Sequence, residues 1–253
     1  MIEILNESDI KSIKICGKIL SSTMDELSKM IKPGLSGVSL DKAAEKSIRR
    51  QGARPSFLGY GDKNNPFPST ICLSINNEIV HGIPKSDKII REGDIVSIDI
   101  GAEYKGLFTD MAKTFIAGKH KNLNDIKLLK VTSESLEKAI SCSVVGGHIG
   151  DIGHAVQSFV ESNGFSVVKM LVGHGIGHKP HQDPQVPNFG RSGTGPTLIE
   201  NMAIAVEPMV NMGGSDVLSD NDGWTVKTFD GSNSCHFEHT ILITQDGPKV
   251  ITR

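Results

Sequence analysis

The chain has 253 residues, a formal net charge of −2 at pH 7, and 38% hydrophobic and 22% charged residues. This composition is typical of a globular chain with a sizeable core, and it excludes a basic nucleic-acid binder and a disordered tail. No stretch approaches the roughly 20 apolar residues of a membrane span. The acidic N-terminal segment does not resemble a signal peptide, and the four cysteines are scattered. We therefore expect a cytoplasmic protein with reduced thiols.

The first half of the sequence predicts two helices followed by strands. Apolar residues at three- and four-residue steps predict a helix over 8–31, which a Lys-Pro-Gly sequence ends. Ser39 is the predicted N-cap of a second helix over about 39–51. The segment 59–69 is rich in Gly, Asn, Pro and Asp, which is typical of a surface loop. Alternating or apolar runs predict strands at 70–76, 94–100 and 107–116.

The second half predicts two more helices, at about 122–144 and 150–162. The segment 180–198 is rich in proline and glycine and is predicted to be a loop. Strands are predicted near 165–172, 202–210, 224–230 and 235–243. The predicted fold class is therefore α/β (α+β) with mostly antiparallel strands. Because the sequence shows no linker, charge block or low-complexity tract, we predict a single domain over 1–253.

The predicted hairpin over 94–116 brings two aspartates together. A turn centred between Tyr104 and Lys105 would place Asp99 opposite Asp110, with Cβ atoms about 4.5–5.5 Å apart. Two like charges destabilise a sheet unless a cation lies between them, and a divalent metal ion would supply that charge. The alternative is that one aspartate is exposed at a bulge and the two never meet.

Three histidines lie within eight residues, at His174, His178 and His181. Glycines around the first two let the backbone bend tightly and approach a ligand. Neutral imidazole is a common metal ligand and a common acid or base. We select His174 and His181 as candidate site residues and expect His178 at the rim of the site.

Two glutamates interrupt apolar strands. Glu207 follows an apolar run that begins at Met202, and Glu238 precedes the apolar run that begins at Ile241. A buried charge is costly unless it is paired or bound to a metal ion. Considered separately, each glutamate is better explained as a hydrated strand end, and His81 in its Gly-x-Pro turn is typical of a surface residue.

Considered together, these motifs resemble the type I methionine aminopeptidases over nearly the whole chain, in the short bacterial form. The motifs are, in chain order, H-G-I-P, D-I-G with a second Asp eleven residues on, G-H-G-I-G with a second His seven residues on, V-E-P-M and F-E-H-T. The resemblance implies the pita-bread fold, a curved antiparallel sheet flanked by helices in two pseudo-twofold halves. It also implies removal of the initiator methionine from nascent proteins and peptides, with preference for a small second residue.

The resemblance implies two divalent metal ions, such as Co(II), Mn(II) or Fe(II). The ligands that it implies are Asp99, Asp110, His174, Glu207 and Glu238, with Asp110 and Glu238 bridging both ions. Such an oxygen-rich set suits these ions better than it suits a structural zinc.

The resemblance also implies catalytic and substrate-binding roles. Glu207 would take the proton of the attacking water, His181 would stabilise the oxyanion, and His81 would contact the scissile amide nitrogen. The methionine side chain would lie in an apolar pocket formed by Tyr60, Phe67, Cys72, His81 and Trp224.

Several residues depart from the family pattern. Pro180 stands where an aromatic residue is common, Phe57 stands where a cysteine is common, and the loop after Tyr60 is longer than usual. His236 replaces a common glutamine. Because residues two apart share a face of a strand, we expect His236 to orient Glu238 through a hydrogen bond. The alternative is an exposed His236 at a strand end.

Two other functions remain open at this point. Proline-specific aminopeptidases and prolidases share the ligand set but carry an additional N-terminal domain, for which 253 residues leave no room. A non-catalytic binding module of the same fold is the second alternative. The partners implied by the resemblance are N-termini of nascent polypeptides, with the ribosome as a candidate; we expect a monomer that binds neither nucleic acid nor membranes.

Overall fold

A computed structural model describes residues 2–119 and 122–253, which contain four helices and fifteen strands. The helices are α1 (Glu7–Ser28), α2 (Gly37–Arg50), α3 (Leu123–Cys142) and α4 (Ile149–Ser162). The strands of the first half are β1 (Arg54–Pro55), β2 (Ile71–Ile75), β3 (Glu78–Val80), β4 (Ile95–Tyr104) and β5 (Leu107–Ile116). Those of the second half are β6 (Ser166–Val167), β7 (Gly173–Gly175), β8 (Gln182–Val186), β9 (Ala203–Val206), β10 (Met209–Asn211), β11 (Val217–Ser219), β12 (Val226–Thr228), β13 (Ser234–His236), β14 (Glu238–Leu242) and β15 (Lys249–Val250).

Nine strands form one antiparallel sheet, in the order β1-β4-β5-β14-β9-β7-β8, with β2 also paired to β4 and β15 to β14. Two helix pairs cover this sheet. The pair α1–α2 packs on it around a core that includes Leu20, Ile48 and Ile98. The pair α3–α4 packs around a core that includes Val131, Val156 and Ile204. Each half of the chain thus contributes two helices and then strands of the shared sheet.

The β4–β5 hairpin turns one residue later than predicted. Its two-residue loop is Lys105-Gly106, and both residues have positive φ angles, of 51° and 81°. Such a turn requires positive φ at both positions, which Gly106 adopts without strain. As a result Asp99 faces Ala112 rather than Asp110, so the predicted direct pairing of the aspartates is wrong. Because the register differs by two residues, both aspartates still project from the same face.

Two predicted strands are each divided where the chain changes sheets. The run 202–210 divides into β9 and β10 at Glu207-Pro208, and the run 235–243 divides into β13 and β14 at Phe237. Strands β9 and β14 pair in the large sheet, whereas β10 and β13 pair in a three-stranded sheet with β6. Proline cannot donate to a strand ladder, which favours the change at Pro208.

The remaining differences concern boundaries. Helix α1 ends at Ser28 rather than at 31, and the N-cap of α2 is Ser36 rather than Ser39. Strand β8 lies inside the predicted loop 180–198, where it pairs with β7. The runs 165–172 and 224–230 retain only the short strands β6 and β12. The predicted surface loop 59–69 has no regular secondary structure. No helix within residues 2–119 and 122–253 is long and apolar enough to cross a membrane.

Candidate metal centre

Four of the five predicted ligands lie on β4, β5, β14 and β7 of the large sheet, and Glu207 directly follows β9, the strand between β14 and β7. Asp99 and Glu238 both pair with Ala112 of the intervening strand, and Asp110 lies two residues before Ala112. Because side chains alternate along a strand, these three carboxylates project from one face. The small Ala112 side chain leaves the space between them open.

The other two predicted ligands join the same face from the second half of the chain. His174 pairs with Ala205, which lies two residues before Glu207. His174 Nε2 is 3.5 Å from Glu207 Oε1. The buried side chain of Asn188 donates to the carbonyl oxygen of Glu207 at 3.0 Å and holds the chain where it leaves β9.

Two groups of three side chains could each hold a metal ion, with ligand atoms within 4.8 Å of one another. One group is Asp110, His174 and Glu238, and the other is Glu207, His236 and Glu238. Glu238 belongs to both groups. Its position therefore fits a carboxylate that two neighbouring ions share.

The His174 ring is oriented by the backbone. Its Nδ1 is 3.0 Å from the carbonyl oxygen of Gly175, an acceptor, so Nδ1 carries the proton. The lone pair of Nε2 then faces the carboxylates. Metal-binding histidines are commonly oriented in this way.

Burial opposes charge on these side chains. It raises the pKa of Glu207 to about 8 and that of Asp99 to about 6, and it raises the pKa values of Asp110 and Glu238 well above their usual range. Burial, and then the neighbouring His181, lower the pKa of His174 to about 3. One buried oxygen each of Asp99, Asp110 and Glu238 has no hydrogen-bond partner among residues 2–119 and 122–253. The site therefore lacks positive charge, and a divalent cation fits both the charge and the unpaired oxygens.

A cavity of about 290 Å³ opens onto this centre. It is lined by all five predicted ligands, by His81 and His181, and by the predicted pocket residues Tyr60, Phe67, Cys72 and Trp224. The sequence did not predict the contributions of Val80, Leu171, Val172 and Met209, and it singled out Phe57 only as a departure from the family. Met209 directly follows Glu207-Pro208 and Val80 directly precedes His81, so proximity to a candidate residue was a signal for both.

Aromatic rings form one wall of the cavity. Phe67 meets Trp224 edge to face with ring centres 5.2 Å apart, and His81 is 6.4 Å from the same indole. On the other side, the ring of His181 lies between those of Tyr60 and His174, at 5.0 and 4.2 Å. His81 occupies this position with a positive φ of 57°. Both non-ligand histidines thus face the space in front of the carboxylates.

Two other histidines differ from expectation. His178 does not lie at the rim; it is exposed at the surface, with Nδ1 3.0 Å from Glu3 Oε2 and Nε2 3.4 Å from Asp9 Oδ2. His236 is only 1% exposed, so the alternative of an exposed strand end is wrong. It lies near Glu238 as expected, but without the expected hydrogen bond.

Comparison with known proteins identifies the family. The model of metallopeptidase family M24 matches residues 11–245. The chain belongs to this family. It is 48% identical over 237 residues to methionine aminopeptidase 1 of Bacillus subtilis, an alignment that covers 94% of this chain and 93% of that protein. A solved methionine aminopeptidase from Thermotoga maritima is 42% identical with a TM-score of 0.96, and the match covers both chains completely.

More distant members of the M24 fold include an Xaa-Pro dipeptidase from Bacillus anthracis. It is 24% identical, has a TM-score of 0.79, and covers 99% of this chain but 62% of its own. At this identity the likeness concerns the fold alone. The predicted pita-bread fold, the resemblance to methionine aminopeptidases and the enzyme class of metallo-aminopeptidase are confirmed by the family and these relatives.

Proposed function

We propose that this M24 chain removes the initiator methionine from nascent proteins and peptides in the cytoplasm, with preference for a small second residue. The observation that carries the proposal is the convergence of five strands on four carboxylates and one imidazole, beneath a cavity with an aromatic wall. Full-length similarity to methionine aminopeptidases supports the same activity. The proposal includes a monomer acting on N-termini that emerge from the ribosome.

Two divalent ions are part of this proposal. Asp99, Asp110, His174, Glu207 and Glu238 would hold them, with Asp110 and Glu238 shared. This donor set suits Mn(II), Fe(II) or Co(II). When bound, the ions would act as Lewis acids that polarise the scissile carbonyl and acidify water.

The side chains around the ions would handle the protons. Glu207 is 13% exposed and lines the cavity, so its carboxylate is accessible to the water whose proton it would accept. Burial lowers the pKa of His81 to about 4, so this ring is neutral at pH 7 and can donate one hydrogen bond. In the proposed role His81 contacts the departing amide nitrogen, and His181 donates to the developing oxyanion.

The apolar wall would select the first residue. Phe67, Cys72 and Trp224 are packed together beside the carboxylates. A thioether is polarisable and makes favourable contacts with aromatic ring edges. The cavity volume of about 290 Å³ is at the small end of ligand sites, which fits one side chain better than a long peptide segment.

Peptide hydrolysis across a panel of first and second residues tests this function. Metal-free protein should release nothing, and added Mn(II), Fe(II) or Co(II) should give release of methionine from Met-Ala-Ser and not from Leu-Ala-Ser. Replacing the second residue by leucine or lysine should suppress release. Cleavage of Xaa-Pro peptides instead would support a proline-specific enzyme. A protein that binds none of these ions and gains no activity with them would support a binding module.

A further inference from the structure

The side chain of His236 is a buried imidazole that forms no hydrogen bond with the described residues. It is the last residue of β13, two residues before Glu238, and only 1% of its surface is exposed. Neither Nδ1 nor Nε2 has a hydrogen-bond partner in the part of the chain that the structure describes. An unpaired polar group in a buried position is costly, so native structures rarely retain one without a function.

The distances distinguish two possible roles for this ring. His236 Nε2 is 3.6 Å from Glu207 Oε2 and 3.9 Å from Glu238 Oε2. Both separations exceed the roughly 2.7–3.2 Å of an N–H···O hydrogen bond. Two ligand atoms that each lie about 2.1 Å from one metal ion are roughly 3.0–4.2 Å apart, depending on the angle between them. The distances from His236 Nε2 to both carboxylates are therefore typical of two ligand atoms that bind the same metal ion.

The backbone of His236 holds the ring in this position. Its amide nitrogen donates to Thr114 Oγ1 at 3.1 Å, and the same hydroxyl donates to its carbonyl oxygen at 2.6 Å. On the other side His236 pairs with Met209, which follows Glu207-Pro208. Moving the backbone of His236 away from the carboxylates would break contacts to two neighbouring strands.

We propose that Nε2 of His236 is a sixth protein ligand of the metal centre and binds the same ion as Glu207 and Glu238. This assignment rests on the metal centre of the proposed function and adds an imidazole to its ligand set. Imidazole favours Co(II), Ni(II) and Zn(II) over Mn(II) relative to an oxygen ligand. The ratio of Co(II) affinity to Mn(II) affinity should therefore be higher for this chain than for a variant with an amide side chain at position 236.

Proton NMR of the Co(II)-loaded protein in H₂O tests the proposal. Ring N–H protons of histidines bound to paramagnetic Co(II) appear far outside the normal spectral range, so each bound imidazole can be counted. We expect two such signals, from His174 and His236, and the loss of one in His236→Gln. The matched control is His239→Gln, which should keep both signals. His239 is half-buried three residues after His236, and its Nδ1 is 2.9 Å from Thr252 Oγ1.

Calorimetric titration of the metal-free protein gives a second measurement. His236→Gln should weaken binding of one Co(II) ion at least about tenfold, and weaken Mn(II) binding less. A single shifted N–H signal in the wild-type protein loaded with two Co(II) ions would overturn the proposal, and this count does not depend on the variant folding. If that protein still releases methionine, only the role of His236 is wrong. If the chain binds no Co(II), the proposed function is wrong as well.

Discussion

At the scale of single residues, Asp110 is held without using its carboxylate. Its amide nitrogen donates to Thr240 Oγ1 at 2.9 Å, and that hydroxyl donates to the Asp110 carbonyl oxygen at 2.9 Å. Thr240 lies on β14, two residues after Glu238. One threonine thus fixes two carboxylate-bearing strands to each other and leaves both side chains available to a cation.

Removing the charge of either carboxylate that we propose to be shared should disable the enzyme. Asp110→Asn and Glu238→Gln should each reduce methionine release by more than the about 10–100-fold typical of losing a residue that merely orients a ligand. Each should also lower bound metal, measured by elemental analysis after gel filtration. The exposed Asp25→Asn variant serves as a control for the loss of one carboxylate. Full activity with full metal content in either variant would contradict the shared-ligand assignment.

The two cavity histidines should affect turnover rather than metal content. His81→Ala and His181→Ala should lower kcat by roughly 10²–10⁴-fold, since acid–base and oxyanion contacts act mainly in the transition state. His178→Ala is the matched control, because this histidine is exposed and lies beside Glu3 and Asp9. Loss of bound metal in His181→Ala would show that His181 is a ligand instead.

The sequence predicted the identity of these residues better than their spatial relations. Asp99 and Asp110 were expected to face each other, but each faces a small residue, Ala112 and Gly101. The positive φ of Lys105, next to Gly106, decides this register, and lysine gives no signal for it. Leu171 and Val172 line the cavity from a loop without periodicity, so hydrophobic pattern alone could not select them.

At the scale of secondary-structure elements, Asp151 joins helix α4 to the loop before β9. Its carboxylate accepts from Ser192 Oγ at 2.6 Å, from Gly193 N at 2.8 Å and from His148 N at 2.8 Å. These hydrogen bonds, with that from Ser192 the largest influence, lower the pKa of Asp151 to about 2. The ionised carboxylate is therefore the form that the folded state favours.

Asp151→Asn should lower the free energy of unfolding at pH 7 by about 1 kcal/mol, the typical value of a helix cap. A lowered folded-state pKa stabilises the protein above the unfolded-state pKa of about 4, and this contribution is lost as the pH falls towards 2. Urea unfolding of variant and wild type at pH 7 and pH 3 should therefore show a smaller difference at pH 3. An equal difference at both pH values would contradict a stabilising contribution from the ionised carboxylate of Asp151.

The loop 59–69 lines the cavity through Tyr60 and Phe67, and Pro180 directly precedes the lining residue His181. With proline at 180, the ring that packs on His181 belongs to Tyr60, and Phe57 joins the apolar wall. Pro180→Phe should therefore change KM for a Met-Ala substrate more than kcat, because it alters binding of the side chain and not the reacting groups. Steady-state kinetics measure both constants. A large fall in kcat at constant KM would contradict the expectation.

Helices and local hairpins were predicted within a few residues, whereas the division of the longer strands was not. The runs 202–210 and 235–243 are continuous in hydrophobicity, yet each contributes to two sheets. Which sheet a residue joins depends on its pairing partner far along the chain. Ala205 pairs with His174 in the large sheet, and Val210 pairs with Val167 in the three-stranded sheet. Such non-local pairing cannot be predicted from the pattern of neighbouring residues in the sequence.

At the scale of the whole molecule, a metal centre would join the two halves of the chain. Asp99 and Asp110 belong to the first half, and His174, Glu207 and Glu238 belong to the second. Ions that bind both halves stabilise only the folded state, in which the halves meet.

Adding ions should therefore raise the melting temperature of the metal-free protein. A free ion concentration 100-fold above Kd adds about 2.7 kcal/mol, which corresponds to roughly 5–10 °C for a chain of this size. Differential scanning fluorimetry with Mn(II) or Co(II) measures the shift. The increase should be smaller in Asp110→Asn, which loses part of the site. An unchanged melting temperature would contradict binding across the halves.

Strand β14 follows both β5 and β9 in the sequence, yet it lies between them in the sheet. Until Glu238–Leu242 has left the ribosome, both neighbours present open edges, which are prone to pair with other chains. Its partner on one side, Ala112, lies in the first half of the chain, so pairing closes a very long loop and is intrinsically slow. Inserting β14 into the sheet also brings Glu238, which belongs to both groups of candidate ligands, to the metal centre. A growing chain that has not yet reached Glu238 therefore lacks a carboxylate of both candidate groups, and we expect activity only once β14 is in place.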